Sequence, residues 1–257
     1  MKKILIALFT AFIVTATASA QCMKVYQNGQ LKAIYYVSKD DKVEFSDDFP
    51  FPEGNTNPGG DVSGNTNGHA YVDLGLSVKW ATMNVGATSP EGYGEYFAWG
   101  ETQPKGWYDW STYKWCNGSY DSMTKYCTNS EYGQVDNKTT LDPDDDAAHV
   151  NWGGAWRMPT RAEQDELRNN CTWTWTSQNG VNGYKVVGPN GNSLFLPAAG
   201  YRFEDDLNNA GSYGYYWSSS LNGYNSYYAY DLYFNSGSVD WGSNYRYYGF
   251  SVRPVCQ

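Results

Sequence analysis

The chain has 257 residues, 18 basic against 27 acidic side chains, a formal charge of −9 and 18% aromatic residues. That balance argues against nucleic acid as a partner, because phosphate recognition needs clustered Lys and Arg. The length suffices for one good core without requiring two domains of ordinary size, and the aromatics together with 27 glycines point to a β-rich or α+β domain with long loops.

Residues 1–20 read as a signal peptide: Lys2 and Lys3 form a basic start, Ile4 to Val14 a short apolar run, and Ala18-Ser19-Ala20 a small-residue cleavage site. The expectation is an exported protein that is secreted, periplasmic or on the cell surface, with no transmembrane segment. Lipid attachment at Cys22 is the weaker reading, since Gln21 rather than a small residue precedes it.

Residues 21–46 alternate apolar and polar around Asn28-Gly29, a tight-turn pair, and predict an N-terminal β-hairpin segment. Residues 47–68 shift to Asp, Pro, Gly, Asn and Thr and read as a flexible linker. The main domain is then 69–257. Early strands are expected within 71–86 and 94–101, followed by a long decorated loop over 103–140. Asp142-Pro143 followed by three aspartates predicts a helix start. A calcium loop there is disfavoured, because Ala147 stands where glycine is needed and no Glu closes the frame.

TRAEQDELRNNC, residues 160 to 171, predicts a helix with a Thr160–Glu163 capping box. Segments 192–202, 214–220, 228–234, 238–241 and 250–255 read as strands between Gly/Asn/Ser turns. A helix pair followed by a run of strands gives the expected class, α+β.

Five cysteines in an oxidising compartment raise disulfides. Cys116 with Cys127 and Cys171 with Cys256 are candidate pairs that would leave Cys22 free, but spacing leaves the connectivity open. No CxxC or HxxxH is present, so no metal and no cofactor is expected.

WRMPTRAEQDEL, FLPAAGYR, GYYWSSS and the closing R-x-x-G-x-SVRPV together resemble the Fibrobacter succinogenes major paralogous domain, over about residues 69 to 256. The resemblance implies a C-type-lectin-like fold with two short helices and antiparallel sheets, related to the formylglycine-generating enzyme domain and to retroelement-diversified variable proteins. It also assigns Trp156, Arg157, Pro159, Leu196, Trp217, Arg246, Gly249 and Arg253 to scaffold. Gln164 departs from the pattern, where a tryptophan is usual. The enzyme's paired cysteines are not matched, since Cys256 has no near neighbour in sequence. Glu95, Glu101, Asp205 and Asp206, the carboxylates a glycosidase could draw on, read as surface acids. The protein is therefore expected not to be an enzyme.

Eight of the 29 residues from 222 to 250 are Tyr, and eighteen are Tyr, Asn, Ser or Asp. Strand alternation turns Leu232, Phe234, Val239 and Trp241 inward. It leaves Tyr224, Asn225, Tyr227, Tyr228, Asp231, Tyr233, Asp240, Asn244, Tyr245, Tyr247 and Tyr248 as the expected ligand-binding surface. Tyrosine with small polar residues is the composition of antibody paratopes, so a surface glycan or protein is the expected partner. The alternatives are an enzyme acting on polysaccharide and a structural component of a surface matrix.

Overall fold

The computed structural model describes residues 62–257 in full and, before them, the backbone of five strands. These are β1 (Lys3–Ala7), β2 (Phe12–Thr15), β3 (Cys22–Gln27), β4 (Gln30–Tyr36) and β5 (Lys42–Ser46). They belong to a unit covering Met1–Asn55. Within it β3 pairs antiparallel with β4 so that Gln27 faces Gln30 across Asn28-Gly29. Of the expected leader only the backbone of β1 and β2 is described; the cleavage site, residues 47–61 of the expected linker and the side chain of Cys22 lie outside the described residues.

The second unit runs from Thr56 to Gln257. Its first strand, β6 (Gly64–Thr66), falls in the stretch expected as linker and pairs with β7 (His69–Val72). The two residues between them, Asn67 and Gly68, take φ of 46° and 83°, the left-handed pair that a two-residue hairpin turn needs. β7 continues to β8 (Lys79–Ala81), and β8 pairs with the C-terminal β17 (Val255–Cys256), closing a sheet ordered β17-β8-β7-β6.

A single 3-10 turn over Pro143–Asp145 precedes α1 (Ala147–Trp152). The expected cap, Asp142, is pulled outward by Lys125 and Lys138, each 2.6 Å away. Asp146 caps α1 instead, accepting from the His149 N–H at 3.0 Å. α2 (Arg161–Asn170) carries the full capping box, with Glu163 also bridging back to Arg157. Gln164, where the resemblance expects tryptophan, is buried in α2, and its amide donates to the Tyr216 carbonyl at 3.0 Å.

After α2 come β9 (Thr172–Gln178), β10 (Val181–Val187) and β11 (Ser193–Pro197) in one antiparallel sheet, then the small ribbon β12 (Tyr201–Phe203) and β13 (Asp206–Asn208). The last sheet is β14 (Tyr213–Leu221), β15 (Tyr228–Asn235) and β16 (Ser238–Tyr245).

The α+β expectation is thereby corrected. Among the described residues the two α-helices have six and ten residues, strands make up 38% of the structure, and the architecture is closer to all-β. The reason lies in part in β9 and β10, which the sequence reading omitted. TWTWTSQ alternates Thr and Trp and turns on Asn179-Gly180, with φ of 50° and 83°, so the pattern was a hairpin signal. In the opposite direction, 94–101 forms no strand: apart from an isolated bridge between Phe97 and Phe250 it is an irregular segment, buried in the core through Tyr96, Phe97, Ala98 and Trp99.

Three apolar clusters hold the unit. Trp99, Trp156 and Trp217 centre the first, and Leu167, Leu196, Leu232 and Phe234 lie in the second. The third, around Tyr96, Tyr108, Met123 and Tyr247, ties the 103–140 loop to the C-terminal strands.

Candidate functional site

The third cluster is where the tyrosine-rich stretch meets the long loop, and Arg246 fixes that junction. Its guanidinium is completely buried and donates to the carbonyls of Lys125 (3.0 Å), Tyr126 (3.1 Å) and Ser226 (2.8 Å), and to the Tyr113 hydroxyl (2.8 Å). It also lies 4.9 Å from the Trp99 ring centroid. A buried cation must be saturated in this way or the fold loses several kcal/mol. With Arg246 held inward, Tyr245 and Tyr247 on either side stack at 5.4 Å.

From there the rings form an unbroken path. Tyr120 and Tyr132, both from the loop, meet Tyr227 at 5.5 and 4.9 Å. Tyr227 meets Tyr228 at 4.4 Å, and Tyr228 meets Tyr245 at 4.9 Å. Tyr245 leads through Tyr248 (5.9 Å) and Tyr201 (5.3 Å) to Tyr215 (5.2 Å), and Tyr215 meets Tyr233 at 5.3 Å. These separations lie within the range where aromatic pairs contribute beyond simple area burial. Most of these rings are half-buried, so each is held by its neighbours while part of it faces solvent.

The expected binding residues separate by position. Tyr224, Asn225, Tyr227, Tyr228, Tyr245 and Tyr248 gather at the loop end. Tyr224 is 84% exposed, and Asn225 accepts from the Tyr132 hydroxyl at 2.9 Å. An Asx turn at Asn222, whose side chain accepts from the N–H groups of Tyr224 (2.9 Å) and Asn225 (3.1 Å), holds the two residues in place. Burial, followed by the neighbouring Tyr245 phenol, pushes the Tyr228 phenol upward. It therefore stays an uncharged hydroxyl that both donates and accepts.

The others occupy different surroundings. Tyr247 was expected to be exposed but is buried under Trp110, 4.7 Å away; the cover comes from the loop, which strand alternation cannot foresee. Asp231 was also expected to face outward and has no exposure at all. It does share a face with Tyr233, but Gly242 opposite it has no side chain, so the carboxylate settles over the strand, and the Asn244 amide donates to Oδ1 at 2.9 Å. Oδ2 has no hydrogen-bond partner among the described residues, and burial pushes the carboxyl up to about 7, against the smaller opposing effect of Asn244. Asn244 is thus occupied within the protein. Asp240 reaches α2, pairing with Arg168.

Trp241 is displaced in the other direction. Expected inside, it is 42% exposed and sits beside Tyr230 at 5.7 Å. Of the acids read as surface groups, Glu101 is buried, holding the Lys105 ammonium at 2.9 Å and the Lys114 N–H at 2.8 Å. The four cysteines named as candidate pairs, Cys116, Cys127, Cys171 and Cys256, are all free thiols in this structure. Among the described residues no group of three or more His, Cys, Asp or Glu is arranged to hold a metal, and no helix is long and apolar enough to cross a membrane.

Of the residues not foreseen at this site, Tyr120, Tyr132 and Trp110 come from the loop, and Tyr201 and Tyr215 from β12 and β14. The loop's density of aromatics was the available signal, since a solvated loop has no reason to concentrate Trp and Tyr.

A family model described as Domain of unknown function (DUF8237) matches residues 173–255. That stretch contains β9 from its second residue, β10 to β16, the first residue of β17 and every expected binding residue from Tyr224 to Tyr248. No curated protein and no solved structure matches the chain.

Proposed function

We propose that the protein is an exported recognition protein, not an enzyme, which binds a surface glycan or protein through the tyrosine patch at the loop end of the β14-β15-β16 sheet. The observation that carries this reading is the ring path from Tyr120 through Tyr227 to Tyr248. Tyrosine supplies large contact area at a small cost in side-chain entropy, and rings already braced by neighbours lose still less on binding. Hydroxyls at the ring edges and the amide of Asn225 give directional contacts suited to sugar hydroxyls or to peptide groups. The four sequence motifs shared with the Fibrobacter succinogenes major paralogous domain, and the leader-like first twenty residues, support the same placement outside the cell.

The test uses glycan and surface-protein arrays probed with the chain lacking residues 1–20, with the Tyr120→Ala/Tyr224→Ala double variant alongside. Both positions are exposed, at 51% and 84%, so the fold is retained. A hit lost in the double variant supports the reading, and arrays without any hit remove it.

A further inference from the structure

A second, chemically different surface lies where α2 meets β15 and β16. A groove of about 430 Å³ opens between the start of α2 and the end of β14, lined by Thr140, Thr160, Arg161, Asp165, Ser220 and Tyr230. At its side the Arg161 guanidinium sits 4.2 Å from the ring centroids of both Tyr230 and Trp241. The Trp241 and Tyr230 rings meet edge to face at 5.7 Å, and 42% of Trp241 remains in solvent. The half-exposed indole places a flat apolar face beside the polar groove, the pairing that saccharide sites use.

The polar groups at the groove are only partly committed. Arg161 Nε, buried and without a hydrogen-bond partner among the described residues, lies 3.6 Å from Asp165 Oδ2, beyond a good hydrogen bond, so the carboxylate and the terminal guanidinium nitrogens remain available to the groove. Ser220 Oγ accepts from the Arg161 N–H at 3.1 Å and Thr160 Oγ1 from the Glu163 N–H at 3.3 Å. The Ser220 hydroxyl uses a lone pair for the backbone and keeps its own proton to donate, whereas the Thr160 hydroxyl also bonds the Glu163 carboxylate. The local charges also cancel: Arg161 and Arg168 face Asp165, and Arg168 also pairs with Asp240. A carboxylated or phosphorylated ligand would meet Asp165 and an acidic chain, whereas an uncharged ligand disturbs nothing.

We infer that this groove is a subsite for a neutral saccharide. One sugar ring packs its C–H face on the solvent-exposed part of Trp241 beside the groove, the next ring lies in the groove with its hydroxyls against the Asp165 carboxylate and the terminal nitrogens of Arg161, and the Ser220 hydroxyl donates to a ring oxygen. The site is separate from the tyrosine patch and does not rest on it.

The test is a titration of the protein with neutral hexasaccharides of glucose, mannose, galactose and N-acetylglucosamine, and with hexagalacturonate as the anionic counterpart of the galactose series. The readout is tryptophan fluorescence together with the Trp241 indole resonance. At least one neutral probe is expected to shift that resonance saturably, with Kd raised about tenfold or more by Trp241→Ala and by Asp165→Asn, and the hexagalacturonate weaker by a similar factor. Trp241→Tyr retains a ring and is expected to recover most of the affinity, which separates loss of stacking from loss of fold. The inference is overturned if no neutral probe moves the Trp241 resonance at about 10 mM, if Trp241→Ala binds as wild type does, or if hexagalacturonate binds as tightly as the neutral series. Tyr120→Ala/Tyr224→Ala is expected to leave the titration unchanged, so the two surfaces are judged independently.

Discussion

Asp231 lies directly across the β15–β16 pair from Gly242, and its carboxylate fills the space a side chain at position 242 would occupy. A Cβ at 242 would fall 2.6 Å from Oδ2 and 2.8 Å from Oδ1. Gly242→Ala is therefore expected to destabilise the unit by about 1–3 kcal/mol through overpacking. The drop is read as a lowered urea midpoint at unchanged slope. In an Asp231→Ala background the same change is expected to cost much less, and additive effects in the double variant would contradict the contact.

The same carboxyl gives a pH dependence with a definite sign. Its pKa is raised from the ordinary 3.8 to about 7 by burial, while in the unfolded chain it titrates near the ordinary value. Between about pH 4 and pH 7 the folded state holds a proton that the unfolded state has released, so this group makes stability fall as pH rises through the window. The fall amounts to at most about 4 kcal/mol at one kcal-scale step per pKa unit. Urea denaturation from pH 4.5 to 8 checks it, with Asp231→Asn as reference. The variant is expected to lack this fall, and parallel curves for the two proteins would rule the assignment out.

Arg246 holds the loop against the strands through three carbonyls and a phenol. Replacing it with Met keeps the volume but leaves those carbonyls buried without a donor. The expected cost is about 3 kcal/mol or more, accompanied by faster proteolytic cutting within 103–140. A variant that cuts no faster than wild type would mean that the loop is held by other contacts.

Thr160 caps α2 by accepting the Glu163 N–H. Thr160→Ala is expected to lower stability by about 1 kcal/mol, while Thr160→Ser is expected to be nearly neutral. Thermal denaturation of the two variants separates loss of the cap from loss of the methyl.

Much of this structure could be read locally and much could not. The α2 capping box, the inward placement of Leu232 and Phe234 and the strands β14 to β16 follow from spacing alone, whereas 192–202 divides into β11 and β12, β13 was not foreseen, and of 250–255 only Val255 lies in a strand. β9 and β10 were legible too, in the alternation of TWTWTSQ and the turn pair Asn179-Gly180. Burial of Asp231, Tyr247 and Glu101 was not legible. Each is covered by residues distant in sequence or by an absent side chain: Tyr247 by Trp110, Glu101 by the loop it holds, and Asp231 by the gap at Gly242. Exposure of Trp241 escaped for a related reason. Alternation correctly puts it on the side of Leu232, but β16 is the edge of its sheet and an arginine, not the core, stacks on it there.

The account rests on the tyrosine patch as a binding surface, and the most direct measurement is the affinity of the array-selected ligand for wild type, Tyr227→Ala and Tyr120→Ala/Tyr224→Ala, with unfolding midpoints recorded on the same samples. Loss of affinity by about tenfold or more in both variants, with the double variant as stable as wild type, is the predicted result. Unchanged affinity in variants that remain folded would contradict it.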